Sequence, residues 1–391
     1  MSPKVALVTG GNGISGNAIV EHLIRQPESQ WSKIIVTSNS PLKAQWQDYR
    51  VKFIAINYLE PLEKIIERIR LHCADVTHAY FCSYIHNADN DFDNLWQMNV
   101  PLFKNFLISI DTVATNTLQR VCLQTGGKHY GVHQGAMFAP ISEEHTPRWE
   151  DGANFYHPQE DLLFDLQKQR KWGWNVIRPQ AIIGYTPGAS GMTAALKLVQ
   201  YLIICRENGS APRFPGNEMF YNFVDDFSYA PSIADMTIWA TTQEHTKNEA
   251  FNHANGDVIC WKYFYPRIAK YLGVTVPDDL QFTSKGTWGG RSLEFKMLEW
   301  AAGKKPVWDS ICQKYGGKPE SFDWGAWAYF DWASSRNWLT LMSLSKARKM
   351  GWLRYDDSYD TWVKTIRAFE NAGVLPDHTL WETPQPNGFS H

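Results

Sequence analysis

The chain of 391 residues has no excess of charge: 38 Lys and Arg stand against 40 Asp and Glu, a formal net charge of −2. Without a basic stretch it offers neither a field for nucleic acid nor a patch for an anionic membrane. No run reaches the roughly 18 apolar residues of a membrane span, and no apolar signal core precedes the first strand, so a cytoplasmic protein without a membrane partner is expected. The cysteines, Cys73, Cys82, Cys122, Cys205, Cys260 and Cys312, include no Cys-x-x-Cys pair. They read as reduced, buried, small hydrophobes. No histidine and acid cluster has ligand spacing, so no metal is expected. Repeats, low-complexity linkers and blocks of like charge are also missing, which implies that the second half packs directly on the first. The expected partner is an apolar small molecule, with a homodimer allowed.

What is plentiful is aromatic: 18 Trp, 17 Tyr and 20 Phe, the tryptophans concentrated after residue 238. Such side chains bury large areas. They suit either a core or a large apolar substrate cavity, and Phe220, Tyr221, Trp327 and Trp332 fit both descriptions.

Short β-branched runs at 4–9, 33–38, 52–56, 77–83, 119–125 and 174–178 alternate with helical spacing at 14–25, 60–72 and 91–110. This alternation predicts an α/β fold, a Rossmann-type doubly wound parallel sheet covered on both faces. The expected dinucleotide-binding domain is 1–185. Residues 186–383 then form a mainly helical substrate-binding part, with helices near 261–272, 292–302 and 343–350 and isolated short strands such as 249–252. The tail 384–391 is expected to be disordered.

Gly10, Gly13 and Gly16 follow the first strand in TGGNGISG and open the first helix. In that setting they predict a dinucleotide site, also lined by Asn12 and Ile14. Gly10 makes the turn, Gly13 lets backbone approach pyrophosphate, and Gly16 lets the helix lie close to the sheet. An acid at the end of the second strand would select NAD. Here the segment is Thr37-Ser38-Asn39-Ser40 with Lys43 just beyond, which suits a 2′-phosphate and predicts NADPH (NADP+) as cofactor. Tyr84 and Thr125, at later strand ends, and Pro179 and Ile182 beneath the nicotinamide complete the expected lining.

Hydride transfer towards a carbonyl group develops charge on oxygen, and a phenol beside a cation stabilises it. The Tyr-x-x-x-Lys pattern that supplies this pair in many dehydrogenases is absent. Two stretches offer a substitute. Gly126-Gly127-Lys128-His129-Tyr130 lies at the carboxyl end of the fifth strand, and Asn154-Phe155-Tyr156-His157-Pro158-Gln159-Glu160-Asp161 opens a helix, its two acids suited to the helix dipole. Lys128 and Tyr156 are the candidate catalytic pair. His129 and His157 suit a structural role more than that of a proton donor or pocket wall, and Arg178 reads as structural support.

With these motifs and Arg178-Pro179-Gln180-Ala181-Ile182-Ile183-Gly184, the chain resembles the progesterone 5β-reductase and iridoid synthase-like family, an atypical branch of the extended short-chain dehydrogenases. The stretches 249–257 and 303–308 are also similar, so the resemblance spans nearly the whole chain. It implies NADPH-dependent 1,4-reduction of an enone or enal, with hydride delivered to the β-carbon and the enolate stabilised by Tyr156 and Lys128. The chain has Asn39 and Ser40 where plant members hold the 2′-phosphate with arginines, and His157 for a second tyrosine. Asn57 stands at the family's aspartate near the adenine. Reduction of a carbonyl itself, and redox-neutral cyclisation or binding on the same scaffold, remain alternatives.

Overall fold

Val5 and Leu7 point to one side of strand β1 (Lys4–Thr9), Ala6 and Val8 to the other, and all four are buried. A strand apolar on both faces requires cover on both faces, as in the interior of a parallel sheet. The computed structural model describes residues 2–44, 46–86, 92–135, 137–150 and 154–380, and the expected tail at 384–391 lies outside the described residues. In it β1 lies between β2 (Trp31–Ser38) and β4 (His78–Phe81), with β3 (Val51–Ala55) beyond β2. The sheet continues past β4 through β5 (Arg120–Gln124), β6 (Gly173–Pro179) and β7 (Glu249–His253). The order is β7-β6-β5-β4-β1-β2-β3 and every pairing is parallel.

Alternation of side chains along each strand divides the core into two layers. One packs Ala6, Val8, Val36 and Ile177 against α1 (Ile14–Ile24) and α5 (Ala230–Thr242) through Ile19, Leu23, Ile233 and Met236. The other packs Leu7, Ile35, Phe81 and Leu123 against α2 (Leu62–Cys73), α3 (Phe92–Val113) and α4 (Tyr156–Gln167), through Ile69, Phe103, Phe106 and Leu163. This Rossmann-type sheet belongs to a compact unit of three stretches, Met1–Gly188, Asp225–Val258 and Leu339–Ser358.

The segment read as an isolated strand at 249–252 is the seventh strand of this sheet, paired with β6 from Glu249↔Asn175 to His253↔Pro179. The fourth strand stops before Cys82, because the Thr9 hydroxyl accepts the amide protons of Cys82 (3.0 Å) and Ser83 (3.2 Å).

A second compact unit comprises Ala189–Val224, Ile259–Trp338 and the described part of Tyr359–His391. It is helical, with long elements at Ala194–Glu207, Trp261–Tyr271 and Lys305–Tyr315. The helix expected at 292–302 is confined to Met297–Ala301. Upstream, the amides of Ser292 and Glu294 are committed to Ser335 and Pro215 carbonyls, and the Asp331 carboxylate caps the Met297 amide at 2.6 Å. Phe220 and Tyr221 are buried against Phe214, and Trp327 against Phe322, so three of the four ambiguous aromatics pack in this unit's interior. Lys197 is buried there too. Its ammonium donates to the Phe322 carbonyl (2.6 Å) and Gln200 Oε1 (3.0 Å), 4.7 Å from the Trp327 ring centroid, and burial pushes its pKa down to about 7.

Helix α1 lies so close to β1 that a Cβ on Gly16 would overlap the carbonyl oxygen of Gly10. Gly16→Val is therefore expected to cost about 1–3 kcal/mol through forced backbone shifts. A chemical denaturation midpoint equal to that of the parent protein would refute the close packing.

Candidate active site

The strand order reverses between β1 and β4, and in open parallel sheets the crevice at the carboxyl edge of such a reversal holds ligands. There the chain leaves β1 through Gly10, at a φ of +68° in the left-handed region that favours glycine. A Cβ on Gly10 would also lie 2.9 Å from the Cys82 carbonyl oxygen, so the segment that follows β4 leaves no room for a side chain. Helix α1 then starts after Gly13 with no side-chain cap and no acid in its first turn. Its terminal amides and positive dipole end suit a phosphate. Ile14 stands at the start of this helix, with its Cγ1 3.2 Å from where a Cβ on Gly184 would lie.

Asn12 organises the neighbouring polar corner. Its amide nitrogen donates to the hydroxyls of Ser38 and Ser40, both at 3.1 Å, and to the Pro41 carbonyl at 3.0 Å. Its oxygen accepts the backbone amide of Lys43 at 2.8 Å. Asn39, Ser40 and Lys43 are exposed and Ser38 half-buried. Asn57 follows β3, and its side-chain oxygen accepts the Leu59 amide at 3.0 Å in a tight turn.

Thr125 turns its hydroxyl inward to Glu160 (3.2 Å). The Pro179 carbonyl oxygen lies 3.1 Å from where a Cβ on Gly126 would stand, so β6 and the turn after β5 touch. Between Pro179 and Ile182 the backbone of Ala181 takes a φ of +46°, a strained setting for a residue with a side chain.

Lys128 sits in a single 3₁₀ turn, Gly127–Tyr130, directly after β5, and Tyr156 is the first residue of α4. These are the two elements from which the pair was expected, and they meet. A Cβ on Gly126 would lie 3.7 Å from the Tyr156 phenolic oxygen. The Lys128 ammonium lies 5.9 Å from the centroid of the Tyr84 ring, Tyr84 packs on Phe155 at 5.6 Å, and Phe155 on Tyr156 at 4.6 Å. Burial pushes the Lys128 amine down to about 8.

Beneath this turn runs a buried ionic network that the sequence did not disclose. Arg178 donates to Glu160 through Nη2 (2.7 Å) and Nε (3.2 Å), and through Nη1 to the Tyr130 hydroxyl (3.0 Å). His129 Nδ1 reaches Glu160 Oε2 at 3.1 Å. The Tyr130 hydroxyl donates to Asn252 on β7 at 2.8 Å, and His157 Nε2 donates to the His129 carbonyl at 3.0 Å. Of the two acids read as helix-dipole partners, Glu160 is thus turned into the interior and Asp161 is paired with Arg148 at 2.6 Å. Burial alone would raise the Glu160 pKa, but the charge of Arg178 and the bond from His129 outweigh it and hold the carboxyl at about 2.

One group of metal-competent side chains, Glu370, Asp377 and His378, is brought together in the second unit without any readable spacing. His378 Nδ1 lies 2.7 Å from Glu370 Oε1. Among the described residues no helix is long and apolar enough to cross a membrane.

A sheet of this order, a glycine turn before an uncapped helix, and a lysine and a tyrosine converging at the carboxyl edge define an oxidoreductase of the short-chain dehydrogenase/reductase class. Residues 6–359 match the PRISE-like Rossmann-fold domain. A short chain dehydrogenase, gsfE, of Penicillium aethiopicum is 41% identical over 96% of this chain and all of its own length. The (S)-8-oxocitronellyl enol synthase ISY1 of Nepeta racemosa is 31% identical, covering 94% of this chain and 92% of that one. A 3-oxo-Delta(4,5)-steroid 5-beta-reductase of Arabidopsis thaliana is 29% identical, with 95% and 93% covered. Among solved structures, a UDP-N-acetylglucosamine 4-epimerase from Methanobrevibacter ruminantium M1 has the same fold, with a TM-score of 0.64, 15% identity and 95% and 99% coverage. The chain belongs to the PRISE-like Rossmann-fold family.

Removing one member of a buried ion pair strands the other charge. Glu160→Ala is therefore expected to destabilise the first unit by about 3–5 kcal/mol. Because folding depresses the Glu160 pKa below its ordinary 4.5, its contribution is complete above that pH and lost as pH falls towards about 2. Urea titrations between pH 5 and pH 2 should show the parent protein losing this increment while the Glu160→Ala variant lacks it; parallel curves would contradict the assignment.

Proposed function

We propose that the protein is an NADPH-dependent reductase of an activated C=C bond in an apolar enone or enal. The observation that carries this reading is the convergence of Lys128 and Tyr156 at the carboxyl edge of the sheet whose first strand ends in the glycine turn before α1. The names of the relatives support it, since an enol synthase and a steroid 5-beta-reductase are similar in sequence over nearly the full length of the chain.

A bound NADPH would supply the hydride for the substrate β-carbon; as that C–H bond formed, the C=C pair would become the enolate Cα=C bond and the carbonyl π pair would move onto oxygen. The Tyr156 hydroxyl donates a hydrogen bond to that oxygen and so favours the charge that develops there. The half-buried Lys128 ammonium, in its low-dielectric setting, lowers the cost of the same charge. A solvent proton at the α-carbon completes the reduction, giving a saturated carbonyl compound and the oxidised cofactor. Gly10, Gly13 and Gly16 would hold the pyrophosphate, Ser38, Asn39 and Ser40 the 2′-phosphate and Asn57 the adenine, while Tyr84, Pro179 and Ile182 would border the nicotinamide. The protein acts in the cytoplasm on an apolar small molecule.

With NADPH and a panel of enones, enals and simple ketones, saturated carbonyl products are expected. Allylic alcohols would replace this reading with carbonyl reduction, and product without cofactor consumption would replace it with redox-neutral cyclisation. Tyr156→Phe should lower kcat by about 10²–10³-fold, the usual loss on removing one oxyanion donor, while leaving NADPH affinity almost unchanged. An unaltered kcat would remove Tyr156 from the mechanism.

The corner formed by Asn12, Ser38, Ser40 and Lys43 contains no carboxylate to repel a phosphate, so NADPH should exceed NADH in kcat/KM. Ser38→Asp is expected to reverse that order, and equal values for the two cofactors in the parent protein would refute the preference.

A further inference from the structure

Asn154 is buried, and its carboxamide joins the two stretches that carry the candidate pair. Nδ2 donates to the carbonyl oxygen of Lys128 at 2.6 Å, and Oδ1 accepts the backbone amide of Tyr156 at 3.2 Å. Its own carbonyl oxygen accepts the His157 amide at 3.2 Å. The two shorter side-chain bonds go to backbone atoms of the two residues, and one planar group makes both; the same Nδ2 also lies 3.4 Å from His157 Nε2. The Lys128 turn therefore cannot shift against the start of α4 without breaking one of them.

We propose that Asn154 is a positioning residue, a single carboxamide that fixes Lys128 and Tyr156 in one frame, an inference that rests on the reading of those two residues as the reacting pair. Asparagine provides a donor and an acceptor on separate atoms of one short, planar group. Ionised aspartate is acceptor-only, serine offers both functions from a single oxygen, and glutamine is one methylene longer. The Tyr156 amide belongs to the first turn of α4, where such groups have no partner inside the helix, so the bond also sets where the helix begins. The buried bonds of His157 to the His129 carbonyl and of Thr125 to Glu160 tie the same segments lower down. Asn154 is the brace that reaches the backbone of both residues of the pair.

The test uses the full-length protein, NADPH and cyclohex-2-en-1-one, with Asn154→Asp and Asn154→Ala beside Tyr156→Phe. Asn154→Asp keeps the acceptor for the Tyr156 amide and places a lone pair against the Lys128 carbonyl; Asn154→Ala removes both bonds. Misplacement of reacting groups by about 1 Å costs around 10²-fold. Both variants are accordingly expected to lose about 10- to 100-fold in kcat by that estimate, with KM for NADPH nearly unchanged.

A second measurement reads the position of Lys128 without turnover. In cofactor-free protein, the pH dependence of Lys128 acylation, followed by peptide mass spectrometry, should have a midpoint near 8 in the parent and move towards the ordinary lysine value of 10.5 in both variants. If Asn154→Ala does not fold, Asn154→Asp decides by both readouts. Parent-like kcat together with a parent-like Lys128 midpoint overturns the proposal, as does a fall in kcat matched by a fall in melting temperature with the midpoint unmoved. Should Tyr156→Phe turn over at the parental rate, the reading of the pair itself fails. Loss of activity in Tyr156→Phe with full activity in both Asn154 variants refutes the brace alone.

Discussion

The structure around the site depends on one buried charge. Glu160 is 1% exposed, on the inward face of α4, where a lone carboxylate would be untenable. Arg178 from β6 and His129 from the turn after β5 meet it there. The cost of leaving either partner unpaired is what forces the end of β5, the end of β6 and the first turns of α4 into a single arrangement. Tyr130 extends the same constraint to Asn252 on β7. The candidate pair stands on top of this arrangement: Lys128 directly precedes His129, and Tyr156 lies one helical turn before Glu160. The residues proposed to act on substrate are thus positioned by residues that do not touch it, as precise placement of reacting groups demands.

What was legible in the sequence follows from the same physics. The strands at 4–9 and 33–38 could be read because short, β-branched apolar runs closed by turn residues are too short for buried helices. The glycine turn could be read because Gly10 needs its left-handed backbone and Gly16 has no space for a Cβ. Lys128 and Tyr156, 28 residues apart (156 − 128), could be paired because one stretch follows the carboxyl end of a strand and the other opens a helix, and the resemblance implies the same two residues.

Other features were silent for definite reasons. Membership of β7 in the sheet is a pairing between residue 249 and residue 175, and a five-residue segment of mixed polarity carries no record of its partner strand. Nothing in Pro-Gln-Glu-Asp says that the glutamate turns inward and the aspartate outward; that is decided by Arg178 and Arg148, which lie on other elements. The helix at 292–302 was overextended because the carboxylate that sets its start, Asp331, lies 34 residues beyond Met297. The metal-competent trio Glu370, Asp377 and His378 depends on the turn that brings residue 378 back to a helix side chain, which spacing alone does not encode.

The late strand also has a consequence for how the chain is made. Because β7 comes from residues 249–253, strand β6 presents an unpaired edge to its surroundings for all the time between synthesis of residue 179 and residue 249. Val176 and Ile177, fully buried in the finished sheet, flank that edge. On the ribosome this is an apolar, extended template of the kind that recruits other chains, and the interval lasts several seconds at about 5–20 residues per second. Expression at reduced temperature or with a holding chaperone is accordingly a matter of shielding one strand until its partner emerges.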